Sequence, residues 1–158
     1  MRISRYARVA WLILAVVVSC ACEVLARPDG IEIEGLETEL RTRVLSTNPG
    51  QTVDLSDMAS GFAWSDLVIV GPYPEGDDFR RAAGFDWAVA RAAPQTDGSN
   101  VLAFVEEGRV VAWSVLRGDI YFLPEEDSSL LVPRSSAVFK VILEDDGESR
   151  RLDWTGAG

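Results

Sequence analysis

The sequence has no histidine, and its 158 residues include only two cysteines, two methionines and one lysine. Histidine is the usual general base near neutral pH and the commonest metal ligand. Its absence excludes Ser-His-Asp and Cys-His nucleophile systems and histidine-bound zinc. Because Cys20 and Cys22 are one residue apart and no other cysteine exists, a framework of structural disulfides is also excluded. A hydrophobic core must therefore stabilise the fold.

The composition is that of an ordinary globular domain, with 47% hydrophobic and 25% charged residues. A chain of this length is expected to form one domain. Basic residues are scarce relative to acidic ones, and the formal net charge is -10. Such a surface repels phosphate backbones and anionic headgroups, so we expect no nucleic-acid partner and no electrostatic adhesion to membranes. No pattern in the sequence indicates a cofactor or a metal site.

The first residues have the three parts of an export signal. Arg2, Arg5 and Arg8 precede an uncharged apolar run from Val9 to Val18, and small residues follow at Ser19 and Ala21. A stable transmembrane helix needs about 20 apolar residues, roughly twice the length of this run. Removal of the three arginines would change the net charge from -10 to -13.

Both cysteines lie where the signal ends. Val17-Val18-Ser19-Cys20 resembles the lipobox of bacterial lipoproteins, in which the cysteine thiol receives a diacylglycerol and the signal is cut just before it. The resemblance implies a signal peptide at 1–19, lipid attachment at Cys20 and membrane anchoring by acyl chains. If the lipobox pattern is instead aligned so that it ends at Cys22, the polar Ser19 falls where the pattern requires an aliphatic residue. Ala21 after the lipidated residue implies the outer membrane of the cell envelope if the host is Gram-negative.

The rest of the chain predicts a tether at 20–34 and a single domain at 35–158. Leu36, Leu40 and Val44 recur at helical spacing before Asn48-Pro49-Gly50, and Glu37 and Arg41 form an i, i+4 pair. Further predicted elements are a strand at 51–55, a buried strand at 67–70, a helix at 77–83 closed by Gly84, and two hairpins formed by 101–105 with 109–116 and by 135–143 with 150–154. These elements predict an α+β fold, an antiparallel sheet of about five or six strands with one or two helices packed on one face.

Two kinds of side chain are candidates for a functional site. A set of aromatic residues is close in sequence: Phe62, Trp64, Tyr73, Phe79, Phe85 and Trp87. They form either core packing, the interpretation we favour, or an exposed interaction patch that consists of the same residues without Phe85. The carboxylates at 106–107, 125–127 and 144–146 fall at predicted turns, where acids are usually solvated. Lys140 follows Ser136 by four residues, about 13 Å along a strand, which is too far for a Ser-Lys pair.

The globular part resembles small uncharacterised exported proteins of bacteria. These have an aromatic-x-Trp-Asp strand followed by Gly-Pro-Tyr, a short helix and a hairpin rich in Val and Phe. Here the match spans Phe62 to Val141, and Ser65 stands where the pattern has aspartate, which follows at Asp66. The resemblance implies the domain extent and the α+β class, and it transfers no catalytic residue.

Three functions agree with these observations. We expect a lipid-anchored, extracytoplasmic, non-enzymatic domain that binds another envelope component, in the first place a protein. One alternative is a carboxylate-dependent glycan hydrolase, with its acids among Asp66, Asp77, Asp78 and Asp86 and two carboxyls about 5 to 10 Å apart. The other alternative is an immunity or inhibitor protein whose acidic face binds a basic toxin or enzyme.

Overall fold

The computed structural model describes residues 30–74, 77–92, 99–122 and 129–156. Its α-helices are α1 (Leu36–Ser46), α2 (Leu55–Met58), α3 (Asp78–Ala83) and α4 (Ala88–Ala92), and one 3-10 turn spans Arg134–Ser136. Its strands are β1 (Ile31–Glu32), β2 (Thr52–Asp54), β3 (Asp66–Val70), β4 (Asn100–Glu106), β5 (Arg109–Leu116), β6 (Ile120–Phe122), β7 (Ser129–Pro133), β8 (Val138–Leu143) and β9 (Arg150–Trp154).

The strands form two sheets, and the prediction of one antiparallel sheet is wrong. The larger sheet has the order β1-β5-β4-β3-β7, and the smaller has the order β2-β8-β9-β6. Both are mixed, because β1 runs parallel to β5 and β6 runs parallel to β9. Each parallel pair joins segments that are distant in sequence, so turn signals between neighbouring strands could not indicate it. The coarser prediction of a strand-rich domain with a few helices agrees with the structure.

The larger sheet is apolar on both faces, which explains the continuous hydrophobic runs of its central strands. Leu67 and Ile69 of β3 contribute to a core shared with α1 and the smaller sheet. Val68 and Val70 point to the opposite face and contribute to a second core with α3 and α4. Successive side chains of a strand alternate between faces, so a strand buried on both sides lacks a polar period. Helices consequently pack on both faces of this sheet rather than on one.

The first helix has the predicted position and the predicted buried side. Leu36, Leu40 and Val44 are buried, and the helix ends at Ser46, just before the predicted stop. Full burial of a leucine or valine stabilises a fold by about 1.5–3 kcal/mol relative to exposure. The predicted pair of Glu37 and Arg41 is also present, with 3.9 Å between Oε1 and Nη2.

The short helix α3 confirms the prediction for 77–83. Gly84 ends it with φ +80°, a left-handed conformation that costs glycine little, and its N–H donates to the carbonyl of Arg80 at 2.8 Å. The predicted strand at 51–55 is divided in the structure. Its first residues form β2, and Asp54 then caps α2 by accepting a hydrogen bond from the backbone N–H of Ser56 at 2.8 Å.

Both predicted hairpins are confirmed. Strands β4 and β5 pair through the two-residue turn Glu107-Gly108, in which both residues have positive φ. A bulge at Val111 shifts the register, so Val110 faces the second core while Ala112 faces the first. Strands β8 and β9 pair on either side of the turn that contains Gly147. Strand β8 begins later than predicted, because Arg134–Ser136 forms the 3-10 turn.

A buried amide joins the two sheets. Asn100, the first residue of β4, is 1% exposed, and its Oδ1 accepts a hydrogen bond from the backbone N–H of Phe122 at 2.9 Å. Its Nδ2 donates to the carbonyls of Phe122 and Val70 at 3.4 and 3.5 Å. The side chain therefore pairs with the free edge of β6 as a neighbouring strand would.

Candidate functional site

The structure divides the aromatic candidates between the two cores. Trp64 is 3% exposed, and its ring meets Phe104 edge-on together with the half-buried Phe62. Phe79 and Trp87 lie in the second core with 5.3 Å between ring centroids. Four of the five residues proposed as an interaction patch thus contribute to packing in the described structure.

Tyr73 is the exception among those five residues. It is 53% exposed and has a positive φ of 59°, directly after the Gly71-Pro72 that ends β3. One exposed ring does not form a patch, so the aromatic set gives no docking surface as a group. Phe62 and Trp64 pack in the first core, whereas Phe79 and Trp87 pack in the second, a division that their spacing in the sequence could not indicate.

The four carboxylates of the hydrolase alternative are not gathered in one place. Asp66 begins β3 opposite Pro133, whereas Asp78 lies beyond the other end of β3, where Ser129 donates to its backbone carbonyl at 2.8 Å. The length of β3 therefore separates the two, about 13 Å at 3.3 Å per residue. Asp77 and Asp86 are exposed. The spacing of Asp66 from Asp78 exceeds what paired-carboxylate hydrolysis requires.

Asp78 has a structural role that the sequence did not indicate. The residue is 1% exposed, and its Oδ1 accepts from the guanidinium of Arg81 at 2.7 Å, one helical turn away. A buried carboxylate is costly unless it is paired and hydrogen-bonded, and this contact supplies a charged partner. Asp77 pairs in the same way with Arg80, at 2.8 Å, on the exposed side of the helix.

A pocket of about 150 Å³ lies between α3 and the edge strand β7. Its lining combines one cation, one hydroxyl and a small apolar floor: Arg81, Ala82, Ser129, Leu130 and Leu131. Arg81 has a side chain that is 51% exposed, and Leu131 is 39% exposed. The Arg81 guanidinium at this pocket is the charged partner of the buried Asp78 carboxylate, so the pocket presents no uncompensated cation among the described residues. The sequence analysis missed β7, although Leu130-Leu131-Val132 between serine and proline is a strand signal.

The outer face of the smaller sheet carries the main cluster of perturbed groups. Burial, followed by the negative charge of Glu144, raises the pKa of the Tyr121 phenol. The hydrogen bond to Asp153 raises the pKa of the Arg151 guanidinium, which also lies 3.0 Å from Glu144. Because both pKa values are raised, Tyr121 stays protonated and Arg151 stays charged at neutral pH, so neither of these two groups acts as a general base there.

Lys140 is exposed on the same outer face, between Thr52 of β2 and Asp153 of β9. Ser136 lies in the 3-10 turn, and its hydroxyl donates to the carbonyl of Pro133 at 3.2 Å. This placement agrees with the interpretation of Lys140 as a solvated strand residue rather than a member of a Ser-Lys pair.

A second ion-pair network fastens α1 to the turn before β6. Arg41 hydrogen-bonds both the carboxylate of Asp119 and the carbonyl of Arg117. The bond from Arg41 holds the pKa of Asp119 below its ordinary value. Glu37 accepts from the backbone N–H of Arg117 at 3.1 Å. These contacts connect elements that are far apart in sequence, which is a structural role.

The predicted lipid attachment residue Cys20 and its neighbour Cys22 lie outside the described residues, as do the acids at 125–127. Among the residues that the structure does describe, no helix is long and apolar enough to cross a membrane. Within the same four ranges, no three side chains of the metal-ligating types are grouped as a cation site would require.

Searches of known protein families, of curated proteins and of solved structures find no match to this chain. A function must therefore be argued from its own residues.

Proposed function

We propose that this chain is a lipid-anchored, extracytoplasmic, non-enzymatic domain that binds another protein of the cell envelope. The observation that carries the proposal is the order of features before Cys20: three arginines, an uncharged apolar run, and Val17-Val18-Ser19 directly before the thiol. Attachment of more than one acyl chain would hold the protein on a bilayer, since a single chain gives only marginal binding.

The distance from Cys20 to the sheet agrees with a short tether. Gly30 is ten residues after Cys20, and ten residues span at most about 35 Å when fully extended. Strand β1 starts directly after Gly30, within the range predicted as tether, and lies beside β5. The folded part would therefore stay close to the bilayer surface and act on components within that reach.

A binding role fits the chemistry of the chain better than catalysis does. There is no histidine in the sequence, and of the acids named for hydrolysis Asp66 begins β3 whereas Asp78 lies on α3, beyond the other end of that strand. The perturbed groups of the smaller sheet stay in one protonation state near neutral pH. These observations support the proposal without identifying the partner.

Labelling with a radioactive fatty acid in a bacterial host tests the anchor. We expect incorporation into the wild-type chain, its loss in Cys20→Ser and its retention in the matched control Cys22→Ser. Unchanged incorporation in Cys20→Ser would refute lipid attachment at this residue. The proposed binding to an envelope protein is tested separately, by chemical crosslinking of intact envelopes followed by purification of the chain. Recovery of the chain alone would count against this binding.

A further inference from the structure

Strand β1 is the shortest and least buried strand of the larger sheet. It has two residues, and in the described part of the chain its one strand neighbour is β5. Both residues are exposed, and Ile31, at 74%, is the most exposed large hydrophobic side chain among the described residues. Segments with few buried apolar contacts and solvent-exposed backbone hydrogen bonds open at a lower free energy than the rest of a fold. We therefore expect β1 to open more easily than the central strands.

A small number of close contacts holds β1 in place. The N–H of Ile33 donates to the carbonyl of Trp113 at 2.8 Å, and the half-buried side chain of Ile33 packs against the first core. At the other end of the segment, a Cβ at Gly30 would lie 3.0 Å from Cγ1 of Val110. Because the fit is close at both ends, the segment has one defined closed position.

Helix α1 is held independently of β1. Its first backbone bond runs from the N–H of Glu39 to the carbonyl of Gly35 at 2.9 Å, and Glu37 accepts from the backbone N–H of Arg117 at 3.1 Å. Gly35 has a φ of +87°, and a Cβ there would meet nothing within 4 Å. A glycine with free space around it can change its backbone conformation at little cost. An opening that starts at β1 can therefore stop at Gly35 without unwinding the helix.

The position of β1 along the chain gives such an opening a consequence. Gly30 is ten residues after Cys20, and Gly35 is fifteen residues after it. A segment of ten residues spans at most about 35 Å, and one of fifteen spans at most about 52 Å. Release of residues 30–34 would thus add about 17 Å to the longest tether between Cys20 and the folded part.

We propose that residues 30–34 form a detachable strap, which leaves β5 as a unit with Gly35 as its hinge and then lengthens the tether. In the closed position the domain is held near the bilayer, and in the open position it reaches components farther away. The gain in reach rests on the proposed lipid anchor, whereas detachment is a property of the fold alone.

Amide hydrogen exchange of the full-length chain in detergent, followed by NMR, tests the detachment. Relative to the rates of an unfolded chain, we expect the Ile33 amide to exchange at least about a hundredfold faster than the amides of Phe104 in β4 and Val44 in α1. Low urea should leave exchange at Ile33 unchanged, because a local opening exposes little surface, and should accelerate exchange at Phe104. Equal rates at Ile33 and Phe104 would overturn the strap, and so would equal rates at Ile33 and Val44.

A pair of glycine variants tests whether the strap opens as a unit. Gly30→Ala introduces its clash three residues before Ile33 and should raise the exchange rate of the Ile33 amide about tenfold. Gly50→Ala is the matched control, because Gly50 has a φ of +88° and open space, and it should leave that rate unchanged. An unchanged rate in Gly30→Ala would mean that the residues fray one by one. Global unfolding of Gly30→Ala would also contradict the strap, because a detachable segment relieves the clash by opening.

The gain in reach is tested with the lipidated chain in phosphatidylcholine vesicles. Lys140 is the only lysine, so an amine-reactive dye there can report its distance from acceptor lipids by energy transfer. Ile33→Asp places a charge at a half-buried position and should release the strap, whereas Ile31→Asp changes an exposed position and should not. For a flexible tether of fifteen rather than ten residues, the dye should lie roughly 4 Å farther from the bilayer in Ile33→Asp.

The outcomes separate the strap from the anchor. Equal energy transfer in the two aspartate variants would overturn the gain in reach. Fast, urea-independent exchange at Ile33 in a chain that incorporates no fatty acid would support the detachment and refute the anchor. Slow exchange at Ile33 in a chain that does incorporate fatty acid would support the anchor and refute the strap.

Discussion

Replacement of Asn100 by alanine tests the connection between the two sheets. Asn100→Ala removes the acceptor of the Phe122 N–H, and both residues are almost fully buried. An unsatisfied buried donor costs about 1–3 kcal/mol. The two longer bonds from Nδ2, at 3.4 and 3.5 Å, contribute less because of their length. We therefore expect the free energy of unfolding to fall by about 3 kcal/mol and Tm to fall by roughly 10 °C.

Asn100→Asp makes the same site sensitive to pH. A carboxylate there would still accept from Phe122 but would face the carbonyl oxygens of Phe122 and Val70 without a proton to donate. Burial and these oxygens raise the pKa of an aspartate at this position above its usual value of about 3.9. The folded state then binds more protons than the unfolded state, so stability falls as pH rises above about 4. At lower pH, where both states are protonated, the penalty disappears.

The assay is equilibrium unfolding in urea, followed by tryptophan fluorescence and repeated between pH 3 and pH 8. Asn48→Ala is the matched control, because Asn48 is the other asparagine of the chain and is exposed. We expect the control to stay within about 0.5 kcal/mol of wild type. A change of that small size in Asn100→Ala, or an Asn100→Asp variant whose loss of stability is independent of pH, would refute the role assigned to this amide.

Three further predictions concern other contacts. Trp64→Phe removes the hydrogen bond from Nε1 to the carbonyl of Ala59 (2.8 Å) and should cost about 1–3 kcal/mol in urea unfolding; a loss below 0.5 kcal/mol would contradict it. Gly30→Ala places a Cβ 3.0 Å from Cγ1 of Val110, at a residue whose φ is +73°. It should lower Tm more than Gly50→Ala does, because Gly50 has a similar φ of +88° but open space around it, and equal Tm values would argue against this clash. Asp119→Asn should lower the free energy of unfolding by less than about 1 kcal/mol at pH 7, because the Asp119 carboxylate is exposed. Since the pKa of Asp119 is depressed in the folded state, the difference in unfolding free energy from wild type should disappear as the pH falls below 3.8.

Local signals in the sequence predicted the elements whose causes are local. The leucine and valine spacing of α1, the glycine after α3 and the turn residues of both hairpins each act within a few positions, and the structure has all of them. The division into two sheets and the parallel pairs depend on contacts between distant segments. Strands as short as β1 and β6 carry too few residues for a period to be recognised.

The candidate site was predicted less well for a related reason. Aromatic residues close in sequence suggested one cluster, but the larger sheet separates two cores, and Trp64 lies in one whereas Trp87 lies in the other. The hydrogen bond from Ser129 to the carbonyl of Asp78 joins β7 to the start of α3 and so places Arg81 beside β7. In the sequence, Arg81 and the apolar residues of β7 are far apart, and no local pattern indicates that they are neighbours.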